Sequence, residues 1–180
     1  MPNYKRTRIP GCTVFFTVNA YQRQTIFTEP LFRSALRKAI QETRLEYPFD
    51  IDAWVLLPNH LHCIWTLPEN DSNTSIRWSM IKRLVSQQIG DKFHYQHQQT
   101  ESRHKRKEST IWQRRFWEHH IIDNRDFITH LNYCYWNPVK HGQVKSVHSW
   151  PYSTFHRDVK RGLYPVNWCE NEESELSFGE

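Results

Sequence analysis

Segments of strand and helix periodicity alternate in the order strand, helix, strand, strand, helix, strand. That order predicts an α+β protein, a ferredoxin-like split βαβ antiparallel sheet with helices on one face and a further helix and tail appended at its C-terminal end. Three observations carry the prediction. The runs "CTVFFTVN", "FDIDAWVLL" and "HLHCIWTL" are short, β-branched and aromatic. The segments "LFRSALRKAIQETRLEY" and "SIRWSMIKRLVSQQIG" have the apolar spacing of helices. Pro58-Asn59 makes a tight turn between the second and third runs, so those two pair as a hairpin.

The elements follow in order. After the first strand, Thr28 before Glu29 and Pro30 marks a helix start, and Leu31, Phe32, Ala35, Leu36, Ala39 and Ile40 recur at helical spacing. The hairpin comes next, then polar cap residues ("NDSNT") and the second helix, closed near Gly90. Residues 91–110 are rich in Gln, His, Lys and Arg and nearly devoid of aliphatics, which predicts a flexible basic insertion. "TIWQRRFWEHHII" resumes strand character. Asp123 or Asn124 caps "RDFITHLNYCYW", a helix expected to stop near Asn137 because Pro138 follows. "SWPYSTFHRDVKRG" holds a short helix after Trp150-Pro151. Residues 1–168 therefore read as one domain, and residues 169–180 as an acidic, disordered tail.

Charge is divided unevenly. The formal net charge is +5, yet residues 165–180 hold five glutamates and no Lys or Arg, so residues 1–164 carry +10. A body this basic, with eleven histidines and eight tryptophans, suits a polyanion with stackable bases. A solvated basic surface without a partner is the plainer alternative. No run of about 18 apolar residues offers a membrane span, and "MPNYKRTRIPG" lacks the apolar stretch of a secretion signal. Four scattered cysteines form no C-x-x-C pair, the pattern of reduced thiols in a cytoplasmic protein.

Two features carry chemistry. In "LLPNHLHCIW", His60 and His62 share one face of a strand, while Leu61 and Cys63 take the other. Such a pair is a metal-ligand pair, a surface pair, or a hydrogen-bonded core element; Cys63 is on the wrong face to complete a zinc site. On the last long helix, Asp126, Thr129, His130 and Asn137 fall within about 60° of Tyr133 and form a polar stripe. Phe127, Ile128, Leu131 and Tyr135 lie opposite, on the expected core face, so Tyr135 packs and Tyr133 looks away. Two imidazoles and an amide oxygen can hold a divalent cation that polarises a phosphate, which a tyrosine hydroxyl can then attack.

The blocks "WVLLPNHLHCIW", "IWQRRFWEHHI", "LNYCYWNPVKHG" and "WPYSTFHRDVKRGLYP", together and in this order, resemble the REP-associated tyrosine transposases, relatives of the single-tyrosine HUH transposases. The resemblance runs from the first strand to about Trp168, with the 91–110 insertion and the tail outside it. It implies that His60 and His62 are the HUH metal pair, that Tyr133 is the nucleophile, and that Asn137 is a third ligand where insertion-sequence members use Gln. It also implies Mg²⁺ or Mn²⁺ as cofactor, and single-stranded hairpins of repetitive extragenic palindromes as partner. Strand cleavage would leave a 5′-phosphotyrosine and a free 3′-hydroxyl. The branch implies a monomer rather than a dimer. The alternatives are a hairpin-binding protein that does not cut, and a metallohydrolase of small substrates.

DNA contacts are expected from Lys5, Arg6 and Arg8 of the N-terminal segment, Lys82-Arg83, Arg114-Arg115, Lys140-His141, Arg157 and Arg161, mostly to phosphate. Trp65 and Trp117 are expected to pack in the core or sheet rather than stack on bases.

Overall fold

The computed structural model describes residues 8–93, 100–106 and 108–169. Four strands, β1 (Thr13–Asn19), β2 (Asp50–Leu56), β3 (His60–Thr66) and β4 (Trp117–His120), form one sheet in the order β2-β3-β1-β4. All three pairings are antiparallel. This is the split βαβ arrangement, and the hairpin closes at Pro58-Asn59 as the sequence indicates.

Alternation along each strand divides the core into two layers. Val14, Phe16 and Val18 of β1 and Leu61, Cys63 and Trp65 of β3 point to one face, where α1 (Pro30–Glu46) and α2 (Thr74–Ile89) cover them. Phe16, Phe49, Trp65 and Trp78 pack there as a set of stacked and tilted rings; the Trp65 and Trp78 centroids are 4.4 Å apart. Helix α2 starts where Asn73 accepts the Ile76 N–H, and it ends at Gly90, whose φ of +60° and ψ of −136° suit only glycine.

The other face carries Phe15, Ala53, Val55 and Ile64, covered by α4 (Asn124–Lys140), a 3-10 turn (Val147–Ser149) and α5 (Phe155–Lys160). The sheet is thus sandwiched, which is why six of the seven residues of β3 are buried. The appended helix is the cover of the second face.

Several sequence expectations are corrected. The last strand is four residues long, because only Trp117–His120 pair with β1; Trp112 meets Ala20 in an isolated bridge. Helix α4 runs past Pro138 to Lys140. Proline's fixed φ is helical, and although it removes one N–H from the ladder, His141 N–H still reaches the Asn137 carbonyl at 3.0 Å. Ile128, expected in the core, is exposed, since Leu131, Cys134 and Tyr135 set the buried face of α4.

The 91–110 segment also departs from a flexible loop in its described part. Thr100 caps a short helix, α3 (Glu101–Lys105), and Arg103 is buried, donating to the Ser109 and Trp112 carbonyls with its guanidinium 3.8 Å from the Tyr21 ring centre. A charged side chain that reads as solvated in sequence is here tied to backbone. Residues 94–99 and 107, and the tail residues 170–180, lie outside the described residues. No described helix is long and apolar enough to cross a membrane.

Candidate active site

β3 begins with His60, and its alternation sends His60 and His62 toward the α4 face, with Thr17 of β1 registered opposite His62. Each imidazole is fixed through its Nδ1. His60 Nδ1 lies 2.6 Å from Asn59 Oδ1, an acceptor, so that nitrogen carries the hydrogen. His62 Nδ1 lies 2.9 Å from Thr17 Oγ1. These anchors leave the Nε2 atoms for a ligand, the arrangement in which a second shell orients metal-binding histidines. The two rings are 5.0 Å apart.

α4 supplies the opposite wall. Leu131, Cys134 and Tyr135 anchor the helix in the second core layer, and that anchoring turns the polar stripe toward the sheet. The Tyr133 ring lies 5.1 Å from His62, edge to face. One turn on, Asn137 is fully buried and lies against both imidazoles. Its Nδ2 reaches the Tyr133 carbonyl at 3.5 Å. His62 Nε2 and Asn137 Oδ1 are both buried without a hydrogen-bond partner in bonding geometry. Buried polar atoms are seldom left unmatched; with His62 Nδ1–H donating to Thr17, His62 Nε2 and Asn137 Oδ1 are two acceptors beside each other and fit a cation.

The electrostatics agree. Burial first, then His141 and Arg23, lower the His60 pKa to about 4. Burial, His60 and His141 hold His62 well below the ordinary histidine value. Both rings are therefore neutral at physiological pH, the state that binds metals.

His60, His62 and Tyr133 line a pocket of about 410 Å³. Its remaining walls include residues that the sequence reading missed. Arg23 enters from a 3-10 turn (Tyr21–Arg23) in which Gln22 and Arg23 both have positive φ, 50° and 56°. Non-glycine residues so placed cost about 1 kcal/mol or more each, and nothing local in "YQRQ" signals it. Trp117, expected in the core, is 54% exposed and lines the pocket from the edge strand. Its outward position follows from pairing with Thr17, which puts it on the same face as His62. Phe15, Thr129 and His130 complete the rim.

The basic residues separate into two groups. Lys140 and His141 are at the site: the Lys140 ammonium is 5.1 Å from the Tyr133 ring centre, and the His141 ring 5.0 Å from that of His60. Arg157 is not. It donates to the Ile51 and Asp52 carbonyls and to Asp158, beside the Ile51–Trp65 pair at the far end of the sheet from His60. Arg161 lies 3.7 Å from the same Asp158. Lys82 donates to the Gln113 carbonyl on the opposite face, next to exposed Arg83, and Arg114 pairs with Glu108 at 3.0 Å. Arg115 is exposed near Arg23 in a neighbouring groove, and Arg8 is exposed. Lys5 and Arg6 lie outside the described residues. Tertiary position, invisible in a list of charges, makes this division.

Comparison with known proteins follows the same lines. Residues 9–133 match the family model described as "Transposase IS200 like". The chain is 45% identical to a REP-associated tyrosine transposase of Escherichia coli (strain K12) over 180 residues, which covers 100% of this chain and 98% of that one. It also superposes on a solved REP-associated tyrosine transposase bound to a REP hairpin, with a TM-score of 0.79 and 45% identity, over 100% of this chain and 98% of the other.

Proposed function

The chain belongs to the IS200-like family, among the REP-associated tyrosine transposases, and from that premise we propose that it nicks and rejoins single-stranded DNA at REP-type hairpins through a covalent 5′-phosphotyrosine on Tyr133. The observation that carries the reading is the convergence of Tyr133 on the His60–His62 pair in one pocket, beside the unmatched Asn137 oxygen.

His60, His62 and Asn137 are the residues that would hold Mg²⁺ or Mn²⁺. A cation bound there supplies Lewis-acid polarisation of the scissile phosphate. The rest of the chemistry belongs to the chain. Arg23 and Lys140 place positive charge at the pocket, where a phosphate diester would enter. Trp117 offers an exposed aromatic face to a base flanking the break. The Tyr133 hydroxyl attacks phosphorus in line with the 3′ oxygen. The O–P bond to tyrosine forms, the P–O3′ bond breaks, and the free 3′-hydroxyl remains available for the reverse step.

The test is a labelled hairpin with a single-stranded foot, incubated with the protein and Mn²⁺ and resolved under denaturing conditions. The expected result is a protein–DNA adduct carrying the fragment 3′ of the break, with release of a fragment ending in a 3′-hydroxyl. Cut products with no adduct would overturn the reading.

A further inference from the structure

Beside the pocket sits a cluster that the metal and nucleophile assignments leave unused. Asp126, in the first turn of α4, stands between two imidazoles. His119 of β4 brings Nε2 to 2.9 Å from Asp126 Oδ2, and His130 brings Nδ1 to 2.9 Å from Oδ1. The carboxylate is itself held by the Ile122 N–H at 3.0 Å. Burial pushes the Asp126 carboxyl up, but that N–H and the two histidines outweigh it and hold the group below its ordinary value. The rings of His119 and His130 are stacked, 4.5 Å apart and 14° from parallel.

The three ligand atoms lie within 4.8 Å of one another, close enough to suggest a cation. The stacking argues otherwise. An imidazole lone pair lies in the ring plane, so two nearly parallel planes cannot aim at one point, and an ion between them would sit well out of both. Parallel N–H donors to the two oxygens of one carboxylate fit this geometry without adjustment.

The consequence concerns His130. Its Nδ1 faces only acceptors, the Asp126 carboxylate and the Asp126 carbonyl at 3.0 Å, so Nδ1 carries the hydrogen. In the neutral ring Nε2 is then a proton acceptor. His130 lines the same pocket as Tyr133, one turn away on the same helix, and both rings pack on Phe15, at 4.8 and 5.9 Å. An imidazole fixed by a carboxylate on one nitrogen, on a residue that lines the pocket, is the arrangement that general acid–base catalysis uses.

We infer that His130 is the proton-transfer residue of the tyrosine reaction and Asp126 its positioning residue. The inference rests on the phosphotyrosine reading. As the Tyr133 oxygen bonds to phosphorus, its proton passes to His130 Nε2. As the P–O3′ bond breaks, the departing 3′ oxygen, on the far side of phosphorus, takes a proton from solvent water, and His130 gives its own proton up to solvent. Rejoining runs the same route backwards, with water as the only co-reactant. The ionisable groups facing His130 are His119 from β4 and Asp126 on its own helix, with Tyr133 one turn on; β1 offers the Phe15 ring.

The experiment measures single-turnover adduct formation on the labelled hairpin with Mn²⁺ from pH 5 to 9, for the native chain, His130→Gln and Asp126→Asn. Hairpin and Mn²⁺ affinities are measured alongside. The expected result for His130→Gln is a loss of about 100-fold or more near neutral pH, with both affinities kept and the rise of rate with pH on the acid limb abolished. Asp126→Asn removes the acceptor that fixes His130 Nδ1–H, so its rate near neutral pH falls while both affinities are kept. A His130→Gln rate and profile equal to the native chain's overturn the inference alone. A rate lost only in step with hairpin or Mn²⁺ affinity overturns it too, since that marks a structural role. A native chain that binds the hairpin and never forms an adduct overturns the function reading, and this inference with it.

Discussion

The Tyr133 ring stands edge to face with His62 at 5.1 Å, although one belongs to the last long helix and the other to the centre of the sheet. That contact joins the proposed nucleophile to the proposed metal-binding histidine pair across 71 residues of chain, and most of the expected behaviour follows from it.

Tyr133→Phe removes only a hydroxyl at a half-buried site. Adduct formation should fall to background, while hairpin affinity stays within about a factor of two and stability changes by less than about 0.5 kcal/mol. A denaturing gel and a filter-binding titration on the same preparation check it. Retained adduct in the variant would falsify the assignment of the nucleophile.

Tyr135→Phe should do the opposite. The Tyr135 hydroxyl donates a short hydrogen bond to buried Asp158, and burial followed by that carboxylate raises the Tyr135 pKa strongly. Losing the donor leaves Asp158 short of a partner and should cost about 1–3 kcal/mol in a urea unfolding curve. Adduct yield per folded molecule should not change.

Asn137 distinguishes a ligand from a helix residue. Asn137→Ala deletes the unmatched oxygen beside the imidazoles and should weaken Mn²⁺ binding by about tenfold or more, read by titration calorimetry. Asn137→Asp supplies an anionic oxygen and should bind at least as tightly as the native chain. Equal affinity in all three proteins would remove Asn137 from the ligand set.

His60 sets a pH dependence of stability for the metal-free protein. Its folded pKa of about 4 lies below the ordinary 6.5, so in that window the unfolded chain binds more protons than the folded one. Stability should therefore be fully present above about pH 6.5 and decline as pH falls toward 4. The decline amounts to at most about 3 kcal/mol from this group. His60→Gln should flatten this part of the profile in chemical denaturation at fixed salt; an equally steep profile would show that other groups carry it.

The two classes of arginine should separate under salt. Arg23→Ala should weaken hairpin binding and reduce the slope of log affinity against log salt by about one phosphate contact. Arg157→Ala should leave that slope unchanged and lower stability instead, because its guanidinium satisfies the Ile51 and Asp52 carbonyls and pairs with Asp158. A salt slope lowered by Arg157→Ala would return that residue to the DNA surface.

Periodicity of two in "HLHCIW" was enough to put His60 and His62 on one face and Cys63 on the other, and periodicity of 3.6 was enough to separate Tyr133 from Tyr135. Those are local facts, since a side chain's direction depends on its own backbone. What lies opposite a side chain is not local. The polar stripe of α4 faces the sheet because Leu131, Cys134 and Tyr135 anchor the helix in the second core layer. Trp117 reaches the pocket because β4 registers against β1, and Arg23 because two consecutive residues adopt positive φ. Arg157, one more cation in the sequence, became a brace for β2 only when α5 folded against it. Sequence alone thus determined most of the elements and the faces taken by the histidine pair, Tyr133 and Tyr135, because those depend on short-range sterics and apolar spacing. Only the tertiary structure decided which faces meet, because that is set by packing between segments far apart in the chain.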